Sequence, residues 1–321
     1  MPYNFNFNFI KNEIYPNTRN GSSTWISPDN KYLYLFGGSE NDCVYDDFLK
    51  YDIKKNKWEI IENKDNKPQE RFGAIHFTYN NKFYLISGFG KKDTLQDFWT
   101  FDLTNNKWTN HQENNSKLIF GSYSSYWLVE NKLYYFGGLC IDKKNSINLN
   151  DKLIIYNLDN HDLKILDSPC INPRFNANFW SYKINNINYL YLLHGMSLDK
   201  DGNFKQLQDM WKFNCQELLW EKINTIPNNY KPKNACLKFQ LDKKIYLFGG
   251  INSDNQLYNQ LWRFKPKDNS FKLIKNIKNI PSPRADSAIW KKENEIYIFG
   301  GLGQKYHLND FWKLNIIKRI F

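Results

Sequence analysis

The chain repeats one pattern six times, and this repeat limits its possible folds more than any other feature. Each copy contains an apolar run that ends in one or two glycines, as in YLFGG at 34–38 and YIFGG at 297–301. The steps between successive copies are 50, 50, 57, 55 and 51 residues. A period of this length is typical of proteins that stack one small unit several times. The six glycines counted are Gly38, Gly88, Gly138, Gly195, Gly250 and Gly301.

Other columns keep the same register. An Asp or Gln begins runs such as DFWTFD at 97–102, and an aromatic residue follows eleven positions later, as Trp108 follows Asp97. A basic residue begins every copy except the third, and a small and an aromatic residue follow it three and six positions later. The basic column consists of Arg19, Arg71, Arg174, Lys233 and Arg284, with Gly121 in the third copy.

Each copy also contains four short runs rich in Tyr, Phe, Ile, Leu and Trp, with Asn, Lys, Asp and Gly between them. In the fifth copy these runs are 235–241, 244–250, 260–265 and 270–275. Runs of this length with such punctuation predict strands, and no long segment has the 3.6-residue period of a helix. Four-stranded units at this period predict the blades of a β-propeller.

The glycine pair, the DFWxFD run and the later Trp resemble the kelch repeat over nearly the whole chain. The resemblance implies an all-β, six-bladed propeller with four antiparallel strands per blade, in one domain spanning 1–321. It also implies that the first strand of each blade lines a central channel, that the glycine pair ends the second strand, and that the Trp lies in the fourth. We expect no appended BTB or BACK domain, and therefore not the ubiquitin-ligase adaptor role of many kelch proteins.

The first residues fit the repeat as a strand that closes the ring. The interval from the fourth-strand aromatic to the next basic column is 13 residues, as from Trp58 to Arg71. Counting 13 back from Arg19 reaches Asn6, inside YNFNFNFI. Alternating Phe and Asn suits a strand with one buried face. We therefore predict that residues 3–10 form the outer strand of blade six, and that 316–321 only flank it.

Composition limits the partners and the compartment. The net charge of +11 allows an acidic partner, but the lysines lie in short runs at predicted turns, so nucleic acid is a less favoured partner than protein. Five cysteines without a CxxC pair predict reduced thiols and a cytoplasmic protein. No segment approaches the roughly 20 apolar residues of a membrane helix, so we expect no membrane insertion and no secretory signal.

The sequence predicts no catalytic, cofactor-binding or metal-binding residue. The five histidines lack metal-ligand spacing, and no phosphate-binding glycine loop or nucleophile motif occurs. The Asp column and the aromatic columns recur in most blades, which favours structural roles: hydrogen bonds to turn backbone and packing between blades. The alternative is a small-molecule enzyme, for example a sugar mutarotase as found among kelch-like propellers, with a site assembled across blades at the channel mouth.

The preferred function is a non-catalytic protein-binding module, or a scaffold subunit of a larger intracellular complex. Two insertions, at 139–150 and 196–208, are the longest loops between second and third strands and are candidate contacts, although drift explains them equally well. The Arg column is interpreted as hydrogen bonding to a neighbouring blade, or as a basic ring that recognises acidic side chains. The candidate partner-binding residues are Arg19, Arg71, Arg174, Arg284, Asp142, Lys143, Lys144, Asp199, Lys200, Asp201 and Phe204.

Overall fold

The computed structural model describes residues 3–62, 66–111, 119–231 and 233–318, and this part of the chain forms a six-bladed β-propeller. It contains no helix, and hence none long and apolar enough to cross a membrane. The strands in chain order are β1 (Tyr3–Phe9), β2 (Ser23–Ile26), β3 (Tyr32–Phe36), β4 (Ser39–Glu40), β5 (Cys43–Val44), β6 (Phe48–Asp52), β7 (Lys57–Ile60), β8 (Ile75–Tyr79), β9 (Lys82–Ile86), β10 (Phe98–Asp102), β11 (Lys107–Asn110), β12 (Ser125–Val129), β13 (Lys132–Phe136), β14 (Leu139–Ile141), β15 (Ile147–Leu149), β16 (Lys152–Asn157), β17 (Leu163–Asp167), β18 (Asn178–Ile184), β19 (Ile187–Leu193), β20 (Met196–Leu198), β21 (Phe204–Gln206), β22 (Met210–Asn214), β23 (Leu219–Lys222), β24 (Leu237–Leu241), β25 (Lys244–Phe248), β26 (Leu261–Lys265), β27 (Ser270–Leu273), β28 (Ala288–Lys292), β29 (Glu295–Leu302) and β30 (His307–Lys318).

Each blade is an antiparallel sheet of four strands, counted here from the channel outward. Blades one to six are β2-β3-β6-β7, β8-β9-β10-β11, β12-β13-β16-β17, β18-β19-β22-β23, β24-β25-β26-β27 and β28-β29-β30-β1. Short hairpins, β4-β5, β14-β15 and β20-β21, extend the loops between second and third strands in blades one, three and four. We call the side of the ring that carries these loops the hairpin face. The turns between third and fourth strands, such as 53–56, lie on the opposite face because neighbouring strands are antiparallel.

Aromatic side chains fill the wedges between blades and bond across them. The indole N–H of Trp25 donates to the carbonyl of Phe77 in the next blade at 3.1 Å, and Trp290 donates to Tyr34 at 2.9 Å across the junction of blades six and one. Both tryptophans are buried. Burial of one large apolar side chain contributes about 1.5–3 kcal/mol, so a column of them accounts for much of the cohesion of the ring. This confirms that the aromatic columns pack between blades.

The first strand closes the ring in blade six, as the spacing predicted. β1 pairs antiparallel with β30, and Phe5 lies opposite Ile316. Tyr3, Phe5 and Phe7 are buried, whereas Asn4 is exposed. The ring of Phe5 lies 5.4 Å from that of Tyr246 in blade five. The alternation therefore places the aromatic rings of β1 against the neighbouring blade.

The end of the chain differs from the expectation that 316–321 only flank this strand. β30 continues to Lys318, which lies opposite Tyr3, and Ile316 is buried. The reason is that β1 begins early enough to pair with these residues, so they complete the third strand. The remaining positions, 319–321, lie outside the described residues.

All five cysteines are free, which agrees with the expected absence of a disulfide framework. Burial raises the pKa of the Cys215 and Cys236 thiols to about 11. Both thiols are therefore protonated at neutral pH and are poor nucleophiles.

Candidate functional site: the hairpin face and the channel mouth

The hairpins of blades three and four end in the same rigid turn. Asp142 and Asp199 each accept hydrogen bonds through Oδ1 from the backbone N–H groups two and four residues further on, at 2.8–2.9 Å. Asn145 and Gly202 take the left-handed conformation at the fourth position, with φ of 61° and 82°. Asn and Gly adopt this conformation most readily, which explains their presence. These insertions are therefore ordered turns.

Blade five repeats this turn, and side chains connect adjacent loops. The Asn252 side chain accepts from the backbone two and four residues further on at 3.1 and 2.8 Å. The Ser253 N–H donates to Gln206 of blade four at 3.1 Å. On the other side, the Thr94 hydroxyl of blade two donates to the Leu139 carbonyl of blade three at 3.1 Å. The loops of blades four and five thus support each other, as do those of blades two and three.

The structure places the predicted loop residues at these tips. Lys143, Lys144, Lys200 and Asp201 are exposed. Phe204 lies against Phe175, with 5.4 Å between ring centroids, yet half of its surface remains exposed. The side chains of Asp142 and Asp199 instead hold their own turns, as described above. The tips therefore present lysines, an aspartate and an aromatic ring on one face.

The four predicted arginines lie elsewhere, inside the blades, with 0–1% of their surface exposed. Arg71 donates from both terminal nitrogens to Asp97, at 2.6 and 2.7 Å, and also to the Ser87 carbonyl at 2.8 Å. The same arrangement joins Arg19 to Asp47, Arg174 to Asp209, and Arg284 to Asp310. We call each such pair a strut. Every terminal nitrogen is occupied within the blade, so no guanidinium group is presented at the surface.

The struts revise two expectations about hydrogen bonding. The Arg side chain bonds to its own blade, and its backbone carbonyl reaches the neighbouring blade, as where the Gly38 N–H donates to Arg71 at 2.8 Å. The Asp column was expected to bond turn backbone. It binds the Arg instead, and it accepts the indole N–H two residues later, as from Trp211 to Asp209 at 2.7 Å. Burial acts to raise the pKa of Asp209, but the hydrogen bonds and charge of Arg174 outweigh it and lower that pKa.

A closed ring of backbone hydrogen bonds lines the channel mouth on the hairpin face. The residue two positions after each basic column donates its N–H to the equivalent carbonyl in the preceding blade, at 2.7–3.4 Å. All six residues have φ between 51° and 67°. Because the backbone makes this contact, the contact itself does not require one type of side chain. The six positions are Gly21, Gly73, Tyr123, Asn176, Ala235 and Asp286.

Tyr123 crosses this mouth and bonds to a residue three blades away. Its hydroxyl donates to Oδ2 of Asp286 at 2.8 Å, and the Asn20 side chain donates to the same oxygen at 3.0 Å. The tyrosine ring passes over two glycines. A Cβ on Gly73 would lie 2.8 Å from the ring, and one on Gly21 would lie 2.8 Å from the hydroxyl oxygen. Burial raises the pKa of Asp286 to about 6.

A second ring of side chains lies deeper in the channel, five positions after the basic column. The Lys238 ammonium lies over the ring of Phe179, 3.7 Å from its centroid. His76 Nδ1 lies 3.1 Å from the Ala74 carbonyl, so this nitrogen carries the proton and donates it. Burial lowers the pKa of His76 to about 4 and that of Lys238 to about 8. The ring consists of Thr24, His76, Tyr126, Phe179, Lys238 and Ile289.

Both rings line a cavity of about 230 Å³. Sequence reasoning did not assign Tyr123, Lys238 or Asp286, although one signal was present. The residues three and six positions after the basic column are of the same kind in every copy. The residues two and five positions after it change in nearly every blade. Positions that vary within an otherwise strict repeat are those at which the fold does not require one residue type. Among the described residues, no group of three or more His, Cys, Asp or Glu side chains is arranged to hold a metal ion.

The family is decided by a match to a sequence model. The kelch-repeats domain model of the KLHDC2/KLHL20/DRC7 type matches residues 9–162 and 123–321. The chain belongs to the kelch-repeat family. The resemblance noted in the glycine pairs and DFWxFD runs is thereby confirmed, together with the propeller that it implied.

Curated proteins similar to the chain match only part of it. A dynein alpha chain of the flagellar outer arm from Chlamydomonas reinhardtii is 27% identical over 130 residues, which is 39% of this chain and 3% of that protein. Tip elongation aberrant protein 1 from Schizosaccharomyces pombe is 37% identical over 60 residues, 19% of this chain and 5% of that protein. Kelch domain-containing protein 3 from Rattus norvegicus is 24% identical over 129 residues, which is 36% of this chain and 34% of that protein. The match spans at most about a third of these relatives.

Proposed function

We propose that this protein is a non-catalytic interaction module that binds a partner protein through its hairpin face. It acts as a scaffold or subunit of a larger assembly in the cytoplasm. The observation that carries the proposal is the shared five-residue turn of blades three, four and five. This turn holds exposed side chains in fixed positions on a rigid ring.

The physics of binding supports this use of the face. Ordered loops lose little conformational entropy when a partner binds, so more of the contact energy appears as affinity. Phe204 and Ile147 are large apolar residues that are 51% and 41% exposed. Lys143, Lys144 and Lys200 accompany them at the tips. An apolar centre with a charged rim is the usual composition of an interface between proteins.

The hairpin tips also favour protein over nucleic acid. Asp201 stands next to Lys200, so the tips carry both signs of charge, whereas a phosphate-binding surface is predominantly basic. The buried arginines of the struts are not part of the proposed surface. The similarity of part of the chain to a dynein alpha chain of the flagellar outer arm supports a place in an assembly. Protein binding is also the common use of kelch propellers.

A pull-down from cells that express this protein tests the proposal, with each face altered in turn. The tagged wild-type protein is compared with a hairpin-face variant, Lys143→Glu, Lys144→Glu and Phe204→Ser, and with an opposite-face control, Lys54→Glu and Lys55→Glu. We expect a stoichiometric partner that the hairpin-face variant loses and the control retains. A partner retained by the hairpin-face variant, or the absence of any stoichiometric partner, would count against the proposal. Equal melting temperatures would show that both variants fold.

One observation favours a second candidate, an enzyme acting on a small molecule at the channel mouth. Asp286, with its raised pKa, and neutral His76 line the same cavity, and such groups serve as general acids and bases. The reaction of a sugar mutarotase, the exchange of sugar anomers, is measurable by NMR on freshly dissolved aldoses. Acceleration that Asp286→Asn abolishes would favour this candidate. An unchanged rate leaves sugar anomer exchange without support.

A further inference from the structure

The channel cavity contains two opposite charges that do not neutralise each other by contact. Lys238 and Asp286 both line it, on the adjacent blades five and six. They influence each other electrostatically but do not form an ion pair. Lys238 makes its close contact with the face of Phe179, and Asp286 receives both of its hydrogen bonds on Oδ2. Each group therefore retains capacity for a further charged partner.

Charge complementarity selects the class of molecule that fits between them. A small anion would be attracted by Lys238 and repelled by Asp286, and a small cation would experience the reverse. A molecule with a carboxylate at one end and an ammonium at the other is attracted at both ends. Inside a protein these attractions are stronger than in water, because the surroundings screen less.

The walls of the cavity add a size limit and an apolar side. Its volume of about 230 Å³ is below the roughly 300–1,000 Å³ of sites for drug-sized ligands, so the occupant must be small. Tyr126 and Phe179 stand side by side, with 4.8 Å between ring centroids, and Ile289 lines the same cavity. Free backbone groups are scarce at the mouth because the ring of hydrogen bonds occupies them. Recognition therefore depends on the side chains.

We propose that the channel binds a small zwitterion of the α-amino acid type, with its carboxylate on Lys238 and its ammonium on Asp286. The Oδ1 atom of Asp286 accepts from the ammonium, while Tyr123 and Asn20 continue to hold Oδ2. An apolar side chain of the ligand lies against Tyr126 and Phe179. This site is independent of the proposed protein contact, because that contact uses the hairpin tips.

Titration calorimetry with each of the twenty free amino acids tests the site on the wild-type protein. We expect at least one of them to bind at millimolar concentration or below. Its amide lacks the carboxylate and its N-acetyl derivative lacks the ammonium. Each derivative should bind about 10- to 100-fold more weakly, as expected for loss of one charged hydrogen bond. Failure of all twenty to bind, or binding of both derivatives as tightly as the parent amino acid, would overturn the proposal.

Variants assign the two ends of the ligand. Lys238→Met and Asp286→Asn should each weaken binding of the zwitterion by about 10- to 100-fold. Asn at 286 keeps an oxygen for Tyr123, which helps to preserve the fold. Lys222→Met and Asp254→Asn are exposed controls and should bind as the wild type does. Full affinity in both channel variants would place the ligand elsewhere and overturn the assignment.

Discussion

Two junctions between blades solve the same packing problem in different ways. Where blade one meets blade two, Arg71 forms a buried strut with Asp97, and its carbonyl accepts from the N–H of Gly38. Where blade four meets blade five, Lys233 replaces the arginine. No described acceptor reaches its ammonium, which lies 4.7 and 4.9 Å from the ring centroids of Tyr230 and Tyr258.

The second junction also replaces backbone contacts with side-chain contacts. His194 occupies the first-glycine position, and its Nδ1 accepts the N–H of Lys233 at 3.2 Å. The Gly195 N–H donates to the Asn234 side chain at 3.0 Å, where four of the other junctions use the carbonyl of the arginine. The comparison teaches that departures from the repeat occur together. A blade that loses its arginine adjoins a blade that has lost its first glycine, as Gly121 also adjoins the blade of Ser87.

Of the changes that test this comparison, removal of an arginine from a strut should have the largest effect on stability. Arg71→Met leaves Asp97 with the Trp99 indole as its remaining side-chain donor and removes the Arg71 donor to the Ser87 carbonyl. Loss of one partner of a buried pair costs about 3–5 kcal/mol. We expect a fall of this size in the free energy of unfolding, measured by urea denaturation. A fall below about 1 kcal/mol would mean that the strut contributes no more than a surface ion pair does.

Acid should have the second-largest effect, by destabilising the junction of blades four and five. Burial lowers the pKa of His194 to about 4, so the unfolded chain, with a pKa near 6.5, binds this proton more readily than the folded protein does. The stability is therefore complete above pH 6.5 and is lost as the pH falls towards 4, by roughly 2–3 kcal/mol. Urea denaturation across this range measures the slope.

His194→Asn is the matched variant for the acid effect, and it should reduce the slope. His76 has a similarly lowered pKa and lies in the channel, so part of the slope should remain. A double variant with His76→Gln should reduce the slope further. An unchanged slope in His194→Asn would show that protonation at this junction does not contribute to the pH dependence of stability.

A strut introduced into blade five should have a smaller effect on stability, and its two substitutions should depend on each other. Lys233→Arg and Gln260→Asp place the blade-two pair at positions that face each other in the repeat. The Trp262 indole donates to Gln260 at 3.1 Å, and it should donate to an Asp at this position as the Trp99 indole donates to Asp97 in blade two. In a double-mutant cycle, we expect the free energy of unfolding of the double variant to exceed the value expected from the sum of the single changes by about 1–2 kcal/mol. Additive effects would mean that the surroundings of Lys233 exclude a strut.

Removal of the Lys233 charge should have the smallest effect. Lys233→Met keeps a flexible apolar chain among the aromatic rings and removes a desolvated ammonium, so we expect a change within about 1 kcal/mol. Burial lowers the pKa of Lys233, so the wild-type stability should rise with pH in the window between that pKa and 10.5. The variant should lose this rise. A loss as large as that of Arg71→Met would show that the lysine is a full substitute for the strut.

Much of the fold was predictable because it depends on position along the chain. The place of β1 followed from a constant interval of 13 residues, and its alternation of Phe5 and Phe7 with asparagines identified the buried face. The third strand beside it was less predictable, because an interval does not show how far a strand pairs. Ile316 therefore entered β30 against expectation.

The candidate site was less predictable because it depends on how far side chains reach across the ring. Tyr123 and Asp286 are separated by 163 residues and belong to opposite blades. No alignment of repeats indicates that one side chain crosses the channel to the other. The struts had a similar limit: Arg71 and Asp97 were recognised as two columns, and only their geometry joins them.

The closing strand has a mechanical consequence. Tyr3 and Lys318 lie opposite each other at one end of the β1–β30 pair, and Phe9 and Trp312 lie at the other end. Tension applied between positions 3 and 318 would therefore peel the two strands apart, one residue pair at a time. Strands pulled from opposite ends would resist together in shear. A force on these two positions would thus open blade six first, at low load, while the other five sheets remain intact.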